Sequence, residues 1–487
     1  MSDGVLRLGS DLPAEGVEVD TLSFGLPCQN YRIRYEAIVG ERLPAPYDFA
    51  LRLLRMAEPM RMEDFQAFFG WNATELSVLL SFLSDSELVA ERSGRLSLGR
   101  AAVRAFTGTD DEHDTPMLSS PSLQVETVAF DKVSFNLLDP TLGKVHPAAA
   151  LPLLSIRERE RAANGAQAAR SAFERNFTEF WHGRPQFNPE LPLPKQPSVI
   201  EVEPKAIFRR ELTIPVRLGG GPASWVDLDF ADLERTGRQR SRDELITAVR
   251  REVGDDPSPG DEHLALRCLE ATGLPFAKHL SRYRPSQWAR LTLSQPRIED
   301  AQMPTVLLCG SAISPQVRQQ LMEAAVEREG EVALPDAPLL WLRPSMPLWG
   351  VGSAFAHLGA DLARRAAHSV DGAILLCRAR EERLGPEAVQ RKARHTFDAV
   401  ISLTGGSLPG ALEIVLRPKI WALVLVHRPE EAKGLPVGTG MWTGAPGLVT
   451  SVERVLLDCL KGAKGHWTRR QRASRSDPIR LLRGLLA

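Results

Sequence analysis

The sequence lacks the features of a membrane protein or a disulfide-stabilised one. No run approaches the about 18 consecutive apolar residues that a membrane helix needs. Only five cysteines occur in 487 residues, with no C-x-x-C pair, which argues against a disulfide framework or a zinc site. The first residues, "MSDGVLRLGSDLPAEG", contain no basic region followed by an apolar core. We therefore expect a soluble, cytoplasmic protein without a metal or other cofactor and without a membrane partner.

An excess of either charge is also missing. Sixty Lys and Arg against 61 Asp and Glu leave no global field that would attract nucleic acid or anionic lipid, so any such binding must come from a local patch. The apolar share of 43% is typical of globular proteins. The length favours two or three domains. Abundant Arg, Ala, Gly and Pro favour a GC-rich bacterial genome.

The clearest local pattern lies in residues 47–100. "YDFALRLLRMA", "MEDFQAFFG" and "ATELSVLLSFLSDSELV" predict three helices, and "LVAERSGRLSL" predicts a hairpin that turns at Ser93 and Gly94. Helix, helix, helix, hairpin is the element order of a winged helix. Residues 1–106 are therefore assigned to a domain that resembles the winged helix-turn-helix superfamily.

The third of these helices has no cation. A winged helix usually reads DNA with Arg, Lys, Asn or Gln of this helix. Its polar residues here are Glu75, Ser77, Ser81 and Asp85. Arg92 and Arg95 in the hairpin could contact phosphates, which supplies affinity without sequence specificity. Three uses of the domain stay open: contact with a protein, contact with the DNA backbone, and readout of bases.

Composition and apolar patterning predict a multidomain chain of α/β and α+β classes. Residues 107–122 are acidic, polar and contain proline, as linkers do, and residues 123–299 predict a mixed α+β region. Within it, Gly219–Gly221 lie between strand-like runs and predict a hairpin turn rather than a phosphate loop. Residues 300–460 alternate short apolar strands with helices, which predicts an α/β sheet covered on both faces.

Two motifs near the end of this α/β region carry a family resemblance. The segment 416–444 reads "LRPKIWALVLVHRPEEAKGLPVGTGMWTG". "RPK" resembles the His-x-Lys motif of the phospholipase D-like superfamily, with Arg417 in the place of histidine and Lys419 kept. "GTGMW" is similar to the Gly-Ser-x-Asn turn of that superfamily, with Thr439 for serine and Met441 for asparagine.

The resemblance implies a site that has lost its catalytic residues. In the superfamily the histidine is the nucleophile, and the lysine and asparagine hold the phosphate. Arginine stays protonated and cannot act as a nucleophile, whereas Arg417 and Lys419 could still bind a phosphate. "ARHTFDAV" supplies His395 but no lysine two residues later. The alternative is a buried strand that ends in a turn, with Trp442 packed in the core.

The last 27 residues, 461–487, form a basic segment with eight Lys and Arg against one Asp. Such a cluster is typical of a surface that binds phosphate backbones, although a solvated tail is the alternative. Trp467 could stack on a base or pack against the domain. The candidate nucleic-acid-binding residues of this segment are Lys461, Lys464, Trp467, Arg469, Arg470, Arg472 and Arg475.

Together these features predict a non-catalytic accessory subunit that binds nucleic acid in a bacterial DNA-processing or anti-phage defence system. Its other partners would be protein subunits encoded nearby. Two alternatives remain: a phospholipase D-like nuclease that uses His395, and a protein-interaction scaffold that binds no nucleic acid.

Overall fold

A computed structural model describes most of the chain as mixed α and β structure. Within its described residues there are three sheets and fourteen α-helices. None of these helices is both long enough and apolar enough to cross a bilayer. The described residues are 11–106, 117–138, 151–154, 164–184, 187, 194, 197–220, 224–231, 239–254, 260–272, 274, 276–297, 305–331, 337–378, 393, 396–431, 434–470 and 477–486.

A long antiparallel sheet is built around one strand of 26 residues. This strand, β1 (Val17–Arg42), pairs with two strands that come much later in the chain. The sheet order is β5-β1-β6-β7. Its other strands are β5 (Met117–Asp131), β6 (Ser198–Gly219) and β7 (Trp225–Leu228). The antiparallel pairing of β6 with β7 confirms the hairpin predicted around the three glycines.

A helical module lies between β1 and β5. It has its own core, and its last two strands turn at Ser93 and Gly94, which both have positive φ. The predicted order of three helices and a hairpin is therefore present. The elements are α1 (Ala45–Ala57), β2 (Met60–Arg61), α2 (Met62–Phe69), α3 (Ala73–Asp85), β3 (Val89–Arg92), β4 (Arg95–Leu98) and α4 (Arg100–Phe106).

The module is an insertion rather than an N-terminal domain, which differs from the predicted boundaries of 1–106 and 107–122. Residues 107–116 lie outside the described residues, but 117–122 begin β5. Arg42, at the end of β1, pairs with Met117, at the start of β5. The polar composition of this stretch predicted a linker. Its pairing with β1 could not be predicted, because backbone pairing between distant segments leaves no signal in the composition.

Helices of the middle region pack beside the long sheet and beneath the C-terminal one. Residues 165–182 form two helices that meet at Asn176, and Phe173 and Phe177 are buried in the core beside the long sheet. The helices are α5 (Gly165–Arg175), α6 (Phe177–His182), α7 (Gln239–Val253), α8 (Glu262–Ala271), α9 (Ala277–Arg282) and α10 (Pro285–Ser294).

The C-terminal sheet has eight strands in the order β15-β11-β10-β9-β12-β13-β14-β8. Only β9, β10 and β11 run parallel to one another, and the other neighbours are antiparallel. The strands are β8 (Thr305–Cys309), β9 (Leu339–Leu342), β10 (Ala373–Arg378), β11 (Ala399–Gly405), β12 (Leu412–Arg417), β13 (Trp421–Pro429), β14 (Pro436–Thr443) and β15 (Ala463–Arg470).

Both faces of this sheet are buried, as the continuous apolar strands predicted. Successive residues of β13 alternate between two cores: Val424 contributes to one and Leu423 to the other. The smaller core is covered by α11 (Pro315–Glu331) and α12 (Ser353–Arg365). The larger core is covered by α7 to α10, by the first half of β1, and by two C-terminal helices. These helices are α13 (Pro446–Cys459) and α14 (Pro478–Leu486).

Candidate functional site

The first motif in residues 416–444 occupies a turn at one end of β13, whereas the second runs along β14, the strand that pairs with β13. Arg417 pairs with Trp421 across the tight turn between β12 and β13, so "RPK" occupies that turn. At the other end of β13, His427 pairs with Gly438 of β14. Thr439, in the serine position of the second motif, pairs with Val426, which lies five residues from Trp421, about 17 Å at ~3.3 Å per residue. The two motifs therefore do not form a common phosphate pocket.

Arg417 is committed to an internal ion pair. It is 1% exposed, and its guanidinium donates to Glu329 Oε1 at 2.7 Å. Trp421 Nε1 donates to the same oxygen at 3.0 Å, while Arg365 binds the other carboxylate oxygen at 3.0 Å. Lys419 is exposed at the turn. Of the two predicted phosphate ligands, only Lys419 therefore faces solvent.

The Gly-Thr-Gly sequence is the interior of strand β14, so its prediction as a turn is wrong. A Cβ on Gly440 would lie 1.9 Å from the Val424 carbonyl oxygen, and one on Gly438 would lie 2.5 Å from that of Gly310. Glycine is required here because neighbouring backbones approach closely, not because the chain turns. Trp442 is 1% exposed, in agreement with the interpretation as a core residue.

Polar side chains do converge inside the sheet, at the edge near His427. Glu413 is fully buried; its Oε1 accepts a hydrogen bond from Trp341 Nε1 at 3.1 Å. Its Oε2 accepts from His427 Nε2 at 2.8 Å and from Ala312 N at 3.5 Å. We name Glu413, His427, Trp341 and the Ala312 amide the polar centre. Sequence reasoning missed it because its members come from β9, β12, β13 and the segment after β8.

In an open site this His–Glu pair would be suited to proton transfer. Because a carboxylate accepts, His427 carries a hydrogen on Nε2, and its Nδ1 has no hydrogen-bond partner in the described part of the chain. Strand β1 closes this edge, however, since Ser311 N donates to the Val19 carbonyl at 2.8 Å. The imidazole is 0% exposed. The polar centre is therefore an interior network that no substrate reaches in this conformation.

Asp20 on β1 adds a buried acid beside the polar centre. Its pKa is raised from 3.8 to about 8, chiefly by burial. The hydrogen bond that it accepts from Thr21 N opposes the rise, and the charges of Glu413 and Glu18 contribute to it. Asp20 is therefore mostly protonated in the folded protein at neutral pH. Its ionisation favours the unfolded chain, in which the pKa is lower.

We expect Asp20→Asn to stabilise the protein at alkaline pH. The contribution of Asp20 to stability is fully present below about pH 4 and is lost as pH rises through about 8. Between about pH 5 and 9, the free energy of unfolding of the wild type should fall relative to the variant by on the order of 4 kcal/mol. Denaturant titrations at both pH values measure this difference. Asp85→Asn, at an exposed position, is the control; an equal response in both variants would contradict the assignment.

The helical module has exposed cations on its hairpin and exposed apolar residues on α3. Arg92 and Arg95 flank the turn and are both exposed. Glu75 is used to cap α3: its carboxylate accepts from Asn72 N at 2.9 Å. On the same helix Val78 and Phe82 are exposed. Helix α3 therefore presents apolar and acidic side chains, whereas the hairpin presents cations.

The basic C-terminal segment is an ordered strand and helix wherever the structure describes it. Strand β15 pairs antiparallel with β11 and forms one edge of the sheet. Lys464 is exposed, and Trp467 is half-buried and packs against the larger core. Lys461 is exposed and pairs with Asp458 at 2.7 Å.

Helix α14 adds two cations that the candidate set omitted. Ile479 and Leu482 are buried, while Arg480 and Arg483, three residues apart, are exposed. The described part of this segment is therefore not a solvated tail. Arg469 and Arg470 lie on β15 with side chains that are not described, and Arg472, Arg475 and His395 lie outside the described residues.

The sequence matches no protein-family model, and no curated protein is significantly similar to it.

Proposed function

We propose that this protein is a non-catalytic accessory subunit of a bacterial DNA-processing or anti-phage system, which binds nucleic-acid backbones without reading their sequence. The observation that carries this proposal is the basic edge of the C-terminal sheet. There, β15 and α14 hold exposed cations on a packed framework. These cations are Lys461, Lys464, Arg480 and Arg483.

Exposed cations on ordered elements suit phosphate binding. Each phosphate that such a side chain neutralises releases a condensed counterion, which favours binding at low salt. Because β15 pairs with β11 and α14 is anchored by Ile479 and Leu482, the cations lose less conformational freedom on binding than they would on an unstructured tail. Nothing in this arrangement requires base contacts, so the proposed binding is independent of sequence.

The closed polar centre supports a non-catalytic role. In α/β sheets, ligands usually bind outside the carboxyl ends of the parallel strands. At this edge of the C-terminal sheet, β8 also ends and β12 begins. Strand β1 covers Ser311, which follows β8, and Asp261 covers the turn before β12. The Asp261 carboxylate accepts from Gly410 N at 2.5 Å and from Ala411 N at 2.8 Å. Arg417 is ion-paired with Glu329 inside the protein and is not free to bind a phosphate. The proposed function therefore relies on the basic edge and not on a phospholipase D-like site.

We infer that the inserted module is a winged helix that contributes a protein contact. The order of its elements and its three-stranded sheet support this inference. Val78 and Phe82 on α3 suit a protein surface better than a DNA groove, since an apolar and acidic helix repels phosphates. Arg92 and Arg95 provide the module's possible contact with a nucleic-acid backbone.

Neutralising the basic edge should weaken binding to all nucleic acids alike. We expect a full-length variant with four substitutions to bind unrelated duplexes at least about tenfold more weakly at low salt. The substitutions are Lys461→Gln, Lys464→Gln, Arg480→Gln and Arg483→Gln. The log–log slope of affinity against salt should flatten by about 0.9 for each phosphate that the variant no longer neutralises. Fluorescence anisotropy with labelled duplexes of different sequence, at several salt concentrations, measures both effects. Point substitutions are preferable to deletion, because removing β15 and α14 would expose the larger core.

The matched control removes the same number of exposed cations from the long sheet. Its substitutions are Arg32→Gln, Arg34→Gln, Lys205→Gln and Arg209→Gln. If this control weakens binding as much as the first variant, the effect comes from total charge and the basic edge is not the site. If the wild type binds no DNA or RNA at low ionic strength, the proposed function is wrong and a protein-interaction scaffold replaces it.

A further inference from the structure

Two cysteines from distant parts of the chain meet where α8 packs against α13. Cys268 lies on α8 and is half-buried, while Cys459 is the last residue of α13 and is 1% exposed. The two helices contact each other, and both side chains belong to the larger core. Their thiols lie near enough to interact, and each thiol is the main influence on the pKa of the other. The wide spacing of these cysteines in the sequence gave no sign of this contact.

The contact makes the two thiols chemically different. The interaction with Cys459 lowers the pKa of the Cys268 thiol to about 7; burial opposes this, and the charge of Arg267 assists it. The same interaction and burial raise the pKa of Cys459. By contrast, burial raises the pKa of Cys28 and of Cys309 to about 12. Cys268 is therefore the cysteine with the largest thiolate fraction of these four near neutral pH.

We propose that Cys268 and Cys459 form a peroxide-reactive pair that closes to a disulfide and covalently joins α8 to α13. Partial exposure, thiolate character and an adjacent second thiol are the features that distinguish redox-reactive cysteines from inert buried ones. Cys268 supplies all three of them.

The reaction balances with hydrogen peroxide as the oxidant. The Cys268 thiolate attacks one peroxide oxygen and the O–O bond breaks, which gives a sulfenic acid and a hydroxide that takes a proton to become water. Cys459 Sγ then attacks Cys268 Sγ, the S–O bond breaks, and the departing hydroxide takes the thiol proton. Two thiols are oxidised by two electrons in total, and one peroxide is reduced to two waters.

The disulfide would fasten together two regions that are now held by non-covalent contacts. Asp261, just before α8, already binds the turn at Gly410 and Ala411, and Cys459 is followed directly by the turn into β15. The closed loop would span about 190 residues, and cross-links over long loops restrict the unfolded chain most. Oxidation should therefore raise the melting temperature by several degrees, and reduction should reverse the rise.

The experiment is a hydrogen peroxide titration of the full-length protein, followed by non-reducing tryptic mapping. We expect two of the five thiols to be lost together. The linked peptides should be CLEATGLPFAK, residues 268–278, and VLLDCLK, residues 455–461. Cys268 should react at least about tenfold faster than Cys28, as its greater thiolate fraction and exposure imply. A link between any other pair, overoxidation of Cys268 without a link, or no thiol loss at millimolar peroxide would each overturn the proposal.

Variants separate the two steps. Cys268→Ser should abolish the link and the rise in melting temperature. Cys459→Ser should stop the reaction at the sulfenic acid, which dimedone labels on Cys268. Cys28→Ser keeps a donor for the Leu26 carbonyl and is the control, with the link formed as in the wild type. Because the peptide map of the wild type stands alone, misfolding of a variant leaves the proposal testable.

Discussion

Replacing Glu413 with alanine should lower the free energy of unfolding by about 3 to 5 kcal/mol. The substitution removes the acceptor for Trp341 Nε1 and for His427 Nε2, both of which stay buried without a partner. It also removes an acceptor of the Ala312 amide and leaves a cavity in a sheet that is covered on both faces. Chemical denaturation followed by circular dichroism measures the loss.

Two further variants test whether the loss comes from the network. Glu413→Gln keeps one acceptor oxygen for Trp341, so its cost should be smaller than that of alanine. Glu327→Ala, at an exposed position on α11, should change stability by less than about 0.5 kcal/mol. A loss below about 1 kcal/mol for Glu413→Ala would show that the polar centre contributes little to folding.

Gly440→Ala should destabilise the protein by about 4 kcal/mol or more, or prevent folding. The added Cβ would overlap the Val424 carbonyl oxygen, which is backbone in the middle of β13 and cannot rotate away. The overlap can be removed only if β13 and β14 move apart. This movement would lengthen the backbone hydrogen bonds between these two strands. Yield of soluble protein and the denaturation midpoint measure the effect.

Gly447→Ala is the matched control for this substitution. Gly447 lies in the first turn of α13, and a Cβ there meets nothing within 4 Å. Alanine favours a helix over glycine by up to about 1 kcal/mol, so this variant should be as stable as the wild type or slightly more so. Equal stability of the two variants would contradict the close approach of the strands at Gly440.

Local patterns in the sequence predicted local structure well. The alternating residues on either side of Ser93 and Gly94 predicted the hairpin, because a type I′ turn favours residues that tolerate positive φ. Continuous apolar runs such as "WALVLV" predicted strands buried on both faces.

Features that depend on contacts between residues far apart in the chain could not be predicted from the sequence. Arg417 attracted a phosphate-binding interpretation because its partner, Glu329, lies on a helix far away in the chain. Gly438 and Gly440 suggested a turn because glycine is common in turns. The close approach of their backbone to β13 and to the end of β8 cannot be predicted from the sequence of β14 alone. The polar centre and the Cys268–Cys459 pair likewise combine residues from separate elements, with no motif in either segment.

The pairing of β1 also bears on how the chain folds during its synthesis. Its last partner residue, Leu218, leaves the ribosome about 200 residues after Val17, roughly 10 to 40 s later at typical rates of elongation. The inserted module has mostly local contacts and its own core, so it can fold within that interval. Strand β5 follows the module and pairs with the second half of β1, whereas the first half of β1 stays unpaired, and open to pairing with other chains, until β6 emerges.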